Sequence, residues 1–226
     1  MSVCLINPYA LFTPTVAYIA GSSDTSSATT YNFTLGTGTS THIVIGVVGI
    51  GSANRKFDSA TVDGSSATVA VTTPGATQQV AGLAIIANTW AGASKTFSIT
   101  FSGAMLRVAI MAWEVNVLTT TPLYSSYATA TGGVLGTNAI GTVLFGNGPP
   151  ILVSVAFANS GSNTVTWSDQ FSGNTLTEDV DTIFASSRTY SGASARLVND
   201  GGEFDIYALF STSTHGNPAM ASAIFY

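Results

Sequence analysis

The stretch KTFSITFSGAMLRVAIMAWEV, residues 95–115, decides the fold class of this chain. In its first part Phe97, Ile99 and Phe101 alternate with polar residues, which is the period of a half-buried strand. In its second part, Leu106–Val115, apolar residues occupy both faces, as in a strand that is covered on both sides. Because neither part repeats apolar residues at helical spacing, the stretch indicates antiparallel β-sheet.

The same two patterns recur along the rest of the chain. Alternating segments occur at Tyr31–Leu35 and Phe204–Phe210, and segments apolar on both faces occur at His42–Ile50, Val80–Ala87 and Ile151–Ala158. The dipeptide Asp63-Gly64 separates two short strand-like segments and predicts a tight hairpin. We therefore predict an all-β fold, an antiparallel β-sandwich of jelly-roll type. Its predicted core includes Phe97, Ile99, Phe101, Ile110, Trp113, Val153 and Phe157.

The length of 226 residues fits one large all-β domain. We predict an N-terminal arm at residues 1–20 and a single β-sandwich domain at residues 21–226, with residues 119–122 as the candidate seam. The arm is apolar, but Pro8 and Pro14 remove backbone donors and interrupt any regular central strand. An extended apolar arm suits the surface of a neighbouring molecule, so we expect its removal to weaken assembly.

The composition argues against several classes of protein. Charged residues make up only 8% of the chain and the net charge is -5, which argues against nucleic-acid binding. The single cysteine, Cys4, cannot form an internal disulfide or a zinc site alone. Residues 1–20 lack the basic start of a signal peptide, and the apolar runs are too short for a membrane-spanning helix.

Uncharged polar residues take the place that charged residues have in most soluble proteins. The chain contains 27 Ser, 32 Thr and 23 Gly, together more than a third of its residues. A free monomer normally stays dispersed through charged surface side chains. A surface built from hydroxyls instead indicates a protein that is covered by neighbours in an assembly.

The histidines and the acids are the first candidates for chemistry. His42 and His215 are the residues whose ordinary pKa lies nearest neutrality, but no Gly-x-Ser-x-Gly nucleophile motif accompanies them, and we interpret them as strand-edge and loop residues. Acids cluster in two groups, which could bind calcium or form a glycosidase pair, but solvated charges on loops or strand faces are the simpler explanation of both. The two groups are Glu178, Asp179 and Asp181, and Asp200, Glu203 and Asp205.

The three tryptophans are candidates for stacking against sugar rings. Trp113 lies within an apolar strand and is expected in the core, Trp167 ends a strand, and Trp90 precedes Ala91-Gly92. None of these patterns selects a catalytic, cofactor-binding or metal-binding residue. The sequence therefore predicts a protein without enzyme activity and without a cofactor.

A succession of motifs in the first two thirds of the chain resembles a group of tailed-bacteriophage and prophage virion proteins. The motifs are IAGSSDT at residues 19–25, YNF at 31–33, IVIGVVG at 43–49, ATVDG at 60–64 and MLRVAIMAWEV at 105–115. The resemblance covers most of residues 19–160 and fades toward the C-terminus. It implies a viral structural origin and carries over no catalytic or ligand-binding residue.

Together these observations predict a non-enzymatic structural protein of a virion, most simply one that decorates or cements the capsid. The expected partners are other copies of the chain, preferably in a trimer, and other virion proteins such as the major capsid protein. Neither nucleic acid nor membrane is an expected partner. Two alternatives are a tail or fibre module that binds host glycans and a glycan-cleaving enzyme.

Overall fold

The computed structural model describes residues 12–36, 38–87, 92–129, 134–140, 149–158, 164–169, 175–184, 188–197, 204–211 and 217–226. All regular secondary structure in these ranges is β-strand, and the strands pair antiparallel in three sheets. The prediction of an all-β antiparallel fold is confirmed, whereas the jelly-roll topology stays a prediction. Within these ranges the structure contains no helix that is long and apolar enough to cross a membrane.

The first sheet has eight strands and contains the N-terminal half of the chain. Its strands are β1 (Thr15–Asp24), β2 (Ala28–Leu35), β3 (His42–Gly51), β4 (Phe57–Val62), β5 (Ser65–Ser66), β6 (Thr68–Thr72), β7 (Gln79–Ala87) and β8 (Lys95–Asn116). Besides pairing with β8, β4 contacts β6 and β7, and the Phe57 amide donates to Thr72 Oγ1. The first sheet therefore curls until it nearly closes on itself.

Strand β8 is the central strand of the first sheet. The 22 residues of this strand are paired along both edges, with β1 and β2 in succession on one side and β3 and β4 on the other. Both sequence patterns in the stretch 95–115 thus belong to one long strand. The apolar second part is covered on both faces because it is the central element of the fold.

The second and third sheets contain the C-terminal half of the chain. Their strands are β9 (Tyr124–Thr129), β10 (Val134–Ile140), β11 (Ile151–Ala158), β12 (Val165–Asp169), β13 (Thr177–Phe184), β14 (Arg188–Arg196), β15 (Phe204–Phe210) and β16 (Ala219–Phe225). The second sheet has the order β13-β14-β11-β16-β9, and the third has the order β10-β15-β12. The chain passes from the first sheet to the second between β8 and β9, where the candidate seam 119–122 lies.

The second sheet lies between the other two sheets. Its strand β11 shows this arrangement, because alternate side chains of β11 pack against different sheets. Ile151, Val153, Val155 and Phe157 pack against the first sheet around Trp113. Leu152, Ala156 and Ala158 pack against the third sheet around Trp167. A further core fills the inside of the curled first sheet and contains Phe97, Ile99, Phe101 and Ile110. Each large apolar side chain that is fully buried in these cores contributes about 1.5–3 kcal/mol.

These layers confirm the predicted core and the predicted central strands. All seven residues named from the sequence as core are at most 1% exposed. The predicted hairpin is also confirmed, because Asp63 and Gly64 connect β4 to β5 with φ values of 46° and 83°. Positive φ at both central residues is the signature of a type I′ turn, which favours Asp-Gly.

The predicted N-terminal arm requires a correction. Residues 15–20 do not lie outside the main sheet, since β1 begins at Thr15 and pairs with β8 from Thr15↔Asn116 onward. The sequence suggested an arm because Pro14 interrupts the apolar segment, but Pro14 lies just before the strand, where its missing donor is tolerated. Residues 1–11 lie outside the described residues.

Candidate functional site

A cluster of polar groups lies where the first and second sheets meet. The indole Nε1 of Trp113 on β8 donates to Asp179 Oδ2 on β13 at 2.7 Å. The ring of Tyr18 on β1 meets the Trp113 ring edge-on, with 5.7 Å between the ring centroids. One carboxylate thus connects to a tryptophan that is completely buried.

A β-bulge directs Asp179 toward this cluster. Glu178 pairs with Ala193 and Val180 pairs with Gly192, so Asp179 is the extra residue without a partner in the ladder between β13 and β14. Bulges re-aim side chains, and they are over-represented next to functional sites. Because of the bulge, Asp179 and its neighbour Val180 both face the first sheet. Strict alternation would place them on opposite faces, so the sequence pattern alone does not predict the position of Asp179.

Two glycines make room for the Trp113 ring. A Cβ atom on Gly46 would lie 2.8 Å from a ring carbon of Trp113, and a Cβ atom on Gly192 would also lie 2.8 Å from one. Both distances are far below van der Waals contact. The chain therefore fits the indole tightly between β3 of the first sheet and β14 of the second.

Burial changes the titration of the groups in the cluster. Burial raises the pKa of the Asp179 carboxyl, although hydrogen bonds with Ser194 and Trp113 partly oppose this change. Burial also raises the pKa of Tyr18 to about 12, with smaller contributions from Tyr190 and Asp179, and it raises the pKa of Tyr190. Raised pKa values of this kind are typical of polar groups enclosed between sheets. Hydrogen bonds made by such groups fix how the sheets pack.

The acids of β13 do not converge on one point. Asp179 bonds toward the first sheet, whereas Asp181 Oδ2 accepts from the Val165 amide of β12 in the third sheet at 3.0 Å. Burial raises the pKa of Asp181, and burial together with the charge of Asp181 raises the pKa of Glu178. Among the described residues, no three His, Cys, Asp or Glu side chains are grouped so that they could hold a metal ion.

Of the second acidic group, Asp205 lies within the described residues, and it is half-buried on β15. Asp200 and Glu203 lie outside the described residues, as do Cys4 and His215. His42 opens β3, its Nδ1 lies 2.8 Å from Thr41 Oγ1, and burial lowers the pKa of its imidazole.

Two of the three tryptophans are core residues. Trp113 is fully buried, and Trp167 is 8% exposed with its Nε1 donating to Ser191 Oγ at 2.8 Å. The sugar-stacking hypothesis is therefore wrong for both, because neither presents a ring face to solvent. Trp90 lies outside the described residues.

Apolar side chains are exposed at one edge of the second sheet, in a group that the sequence analysis did not single out. Leu118, Leu123, Tyr124 and Tyr127 are between 38% and 46% exposed. The Leu118 amide donates to the Tyr226 carbonyl, and the Leu123 amide donates to the Ile224 carbonyl, each at 2.8 Å. We call these four residues the Leu–Tyr surface, which extends over both faces of the edge, because Tyr124 pairs with Ile224 and Tyr127 pairs with Ala221 on opposite faces of the sheet.

An open groove of about 350 Å³ includes Thr120, which lies between Leu118 and Leu123 in the chain. Within the described part of the chain no charged side chain lines this groove, whose walls are Ser65, Ser66, Thr68, Ile85, Ile86, Ala87 and Thr120. The groove and the Leu–Tyr surface share the connection between β8 and β9. This side of the molecule thus presents hydroxyls and apolar groups to its surroundings.

Comparisons of the chain with protein-family models, curated proteins and solved structures find no match.

Proposed function

We propose that this chain is a non-enzymatic structural protein of a tailed-phage particle, which decorates or cements the capsid as a homo-oligomer. A trimer at the three-fold positions of the capsid is the preferred arrangement, with the major capsid protein as the other partner. A jelly-roll arrangement of the sandwich is part of the same proposal. The proposal combines the resemblance of residues 19–160 to virion proteins with the charge distribution on the fold.

The observation that carries the proposal is the distribution of charge. From Val115 to Ser168, and again from Ile206 to Tyr226, the sequence contains no Asp, Glu, Lys or Arg. These segments supply β9, β10, β11 and β16. Strands β11 and β16 are buried inside the molecule and need no charge, so the surface that lacks charge is the one formed by β9, of whose six residues four are exposed. A protein that is permanently covered by neighbours needs no such charges, whereas a free monomer relies on them.

The proposed mechanism is physical. The curled first sheet, the second sheet and the third sheet enclose three apolar cores, and hydrogen bonds such as Trp113 to Asp179 lock neighbouring layers together. Such a stack is rigid because close-packed interiors have low compressibility. A rigid body with few surface charges can reinforce a particle through area of contact alone.

A tail or fibre module that binds host glycans is the second candidate. The groove beside Thr120 favours it, since hydroxyls beside apolar side chains suit a sugar ring. The loss of Trp113 and Trp167 as stacking platforms weighs against it. A glycan array with Thr120→Trp, which would fill the groove, separates the two candidates: binding that is present in the wild type and lost in the variant favours the glycan module.

Copy number tests the proposed function. Virus particles purified from the strain that carries the gene are separated on a stained gel and quantified by mass spectrometry against the major capsid protein. We expect hundreds of copies per particle. A few to a few dozen copies would place the chain in the tail, and absence from particles would contradict a virion role.

A further inference from the structure

Strand β13 carries two carboxylates that bond in opposite directions. Asp179 Oδ2 accepts from the Trp113 indole of the first sheet at 2.7 Å, and Asp181 Oδ2 accepts from the Val165 amide of the third sheet at 3.0 Å. In a regular strand, residues two apart point to the same face. The bulge at Asp179 changes this order, so a single strand of the second sheet is attached to both neighbouring sheets.

Strand β13 is also an edge strand. It pairs with β14 alone, at one end of the order β13-β14-β11-β16-β9. An edge strand can detach without breaking the ladder between any other two strands, and the free energy of local opening is smallest for such elements. Whether β13 stays in place therefore depends on one ladder and on its contacts with the first and third sheets.

The surroundings of these two carboxyl groups favour their neutral form. The Oδ1 atom of Asp181 is buried and has no hydrogen-bond partner among the described residues. An unpartnered buried oxygen costs more when the group is ionised, because a carboxylate offers only acceptors and loses more hydration. Burial raises the pKa of Asp179 and of Asp181, and burial followed by the charge of Asp181 raises the pKa of Glu178.

The tyrosines beside Asp179 do not offset its charge. Tyr18 of β1 lies close enough to Asp179 and to Tyr190 of β14 for their charges to interact. Burial raises the pKa of Tyr18 to about 12 and also raises the pKa of Tyr190. Both side chains therefore stay neutral over the range in which carboxyl groups titrate.

The remaining charged groups on the strands packed against β13 are distant or acidic. Arg188 and Arg196 lie at the two ends of β14, each three residues from the ladder partner of the nearest acid, which is roughly 10 Å along the strand. On the side of the third sheet, β12 ends at Asp169, which is itself an acid. Ionisation of β13 thus adds negative charge at half-buried positions without an adjacent cation.

We propose that β13 is a pH-sensitive clasp, in which Asp179 and Asp181 hold the second sheet to both of its neighbours while they are protonated and release the strand when they are ionised. As the pH rises, ionisation adds desolvated charge and increases the repulsion between Asp181 and Glu178. The stabilisation that the protonated groups provide is present at low pH and is lost as the pH rises through their folded pKa values. The clasp goes beyond the proposed function and does not depend on it, because it is a property of the folded chain alone.

Hydrogen exchange with mass-spectrometric detection tests the clasp on the full chain between pH 4 and pH 8. Protection factors, in which the intrinsic exchange rate at each pH is divided out, are compared for peptides from β13 and from the central strand β11. We expect the protection of β13 to fall at least about tenfold more than that of β11 as the pH rises, because β13 opens locally.

The double variant Asp179→Asn with Asp181→Asn removes both ionisable groups and keeps an oxygen acceptor at each position. We expect its β13 protection to be the same at pH 4 and at pH 8. Asp58→Asn is the matched control, because it removes a carboxyl group from β4 of the first sheet, and its β13 protection should follow the wild type. Circular dichroism melts establish folding, and if the double variant does not fold, each single variant should reduce the fall in protection.

Two results would overturn the clasp. One is a wild type in which the protection of β13 relative to β11 does not change with pH, and the other is an unchanged fall in the folded Asn variants. Neither result bears on the virion role, which is tested separately by the copy number in purified particles.

Discussion

The indole of Trp113 and the carboxylate of Asp179 are joined by a hydrogen bond of 2.7 Å that links the first sheet to the outermost strand of the second. Trp113 lies on β8, the central strand of the first sheet, which pairs with β1 on one side and β3 on the other, and Asp179 occupies the bulge of β13. A single polar contact thus connects the central strand of one layer to the acidic edge of the next. The stability predictions follow from this contact and its neighbours.

The first prediction concerns the energy of this hydrogen bond. Trp113→Phe removes the donor and leaves Asp179 with one partner fewer, so we expect the free energy of unfolding to fall by about 2–4 kcal/mol. In the background of Asp179→Asn the same change should cost less, because an amide is easier to leave unpaired than a carboxylate. Urea denaturation of the four proteins in this cycle measures the coupling, and strictly additive losses would contradict it.

The second prediction concerns the space around the Trp113 ring. Gly192→Ala should lower the free energy of unfolding by about 1–3 kcal/mol, since the new methyl group would overlap the indole. Gly36→Ala is the matched control, because its nearest neighbour would be 4.0 Å away, and we expect a change within about 0.5 kcal/mol. Trp113→Phe should relieve part of the Gly192→Ala penalty. Equal losses for the two alanine variants would show that the ring is not tightly enclosed.

The third prediction is a dependence of stability on pH. Burial raises the pKa values of Glu178, Asp179 and Asp181, so the folded state holds protons that the unfolded state releases. This contribution to stability is fully present below the ordinary carboxyl pKa of about 4 and is lost as the pH rises through the folded values.

Asp179→Asn removes one of these groups and is the test. We expect the variant to show a flatter decline of unfolding free energy above pH 4 and to match or exceed the wild type in stability at pH 7. Urea denaturation at intervals between pH 4 and pH 8 measures both curves. A wild type whose stability rises across this range, with a parallel curve for the variant, would contradict the burial argument.

The fourth prediction concerns the N-terminal strand. Deletion of residues 2–17 removes Thr15, Val16 and Ala17, which pair with β8, and Val16 also packs against the core around Trp113. We expect the melting temperature to fall by at least about 4 °C, since each lost kcal/mol lowers it by about 2–4 °C in a domain of this size.

Deletion of residues 2–11 is the comparison, because it retains every ladder pair of β1. We expect this shorter deletion to keep a melting temperature close to that of the full chain and to weaken assembly, as the apolar composition of the segment predicts. Identical melts for the two deletions would show that the beginning of β1 contributes no stability.

The sequence predicts the layers of this fold better than the contacts between them. The alternation around Phe97 and the continuous apolar run of β11 both depend only on which faces of the strand are buried. Sequence patterns record this burial directly. The bulge at Asp179 breaks that period, so neither its contact with Trp113 nor the role of Tyr18 follows from spacing. The Leu–Tyr surface is visible in the sequence only as a long run without charge, and the pairing with β16 is needed to place it at an edge.

We propose that this chain is a structural component of a virus particle, present in many copies and held by uncharged contacts. The most direct test is its copy number in purified particles, measured against the major capsid protein by quantitative mass spectrometry. We expect hundreds of copies per particle, which high salt should not release, because the proposed contacts are uncharged and salt screens only charged ones. Particles that lack the chain altogether, from a culture that produces it, would contradict the claim.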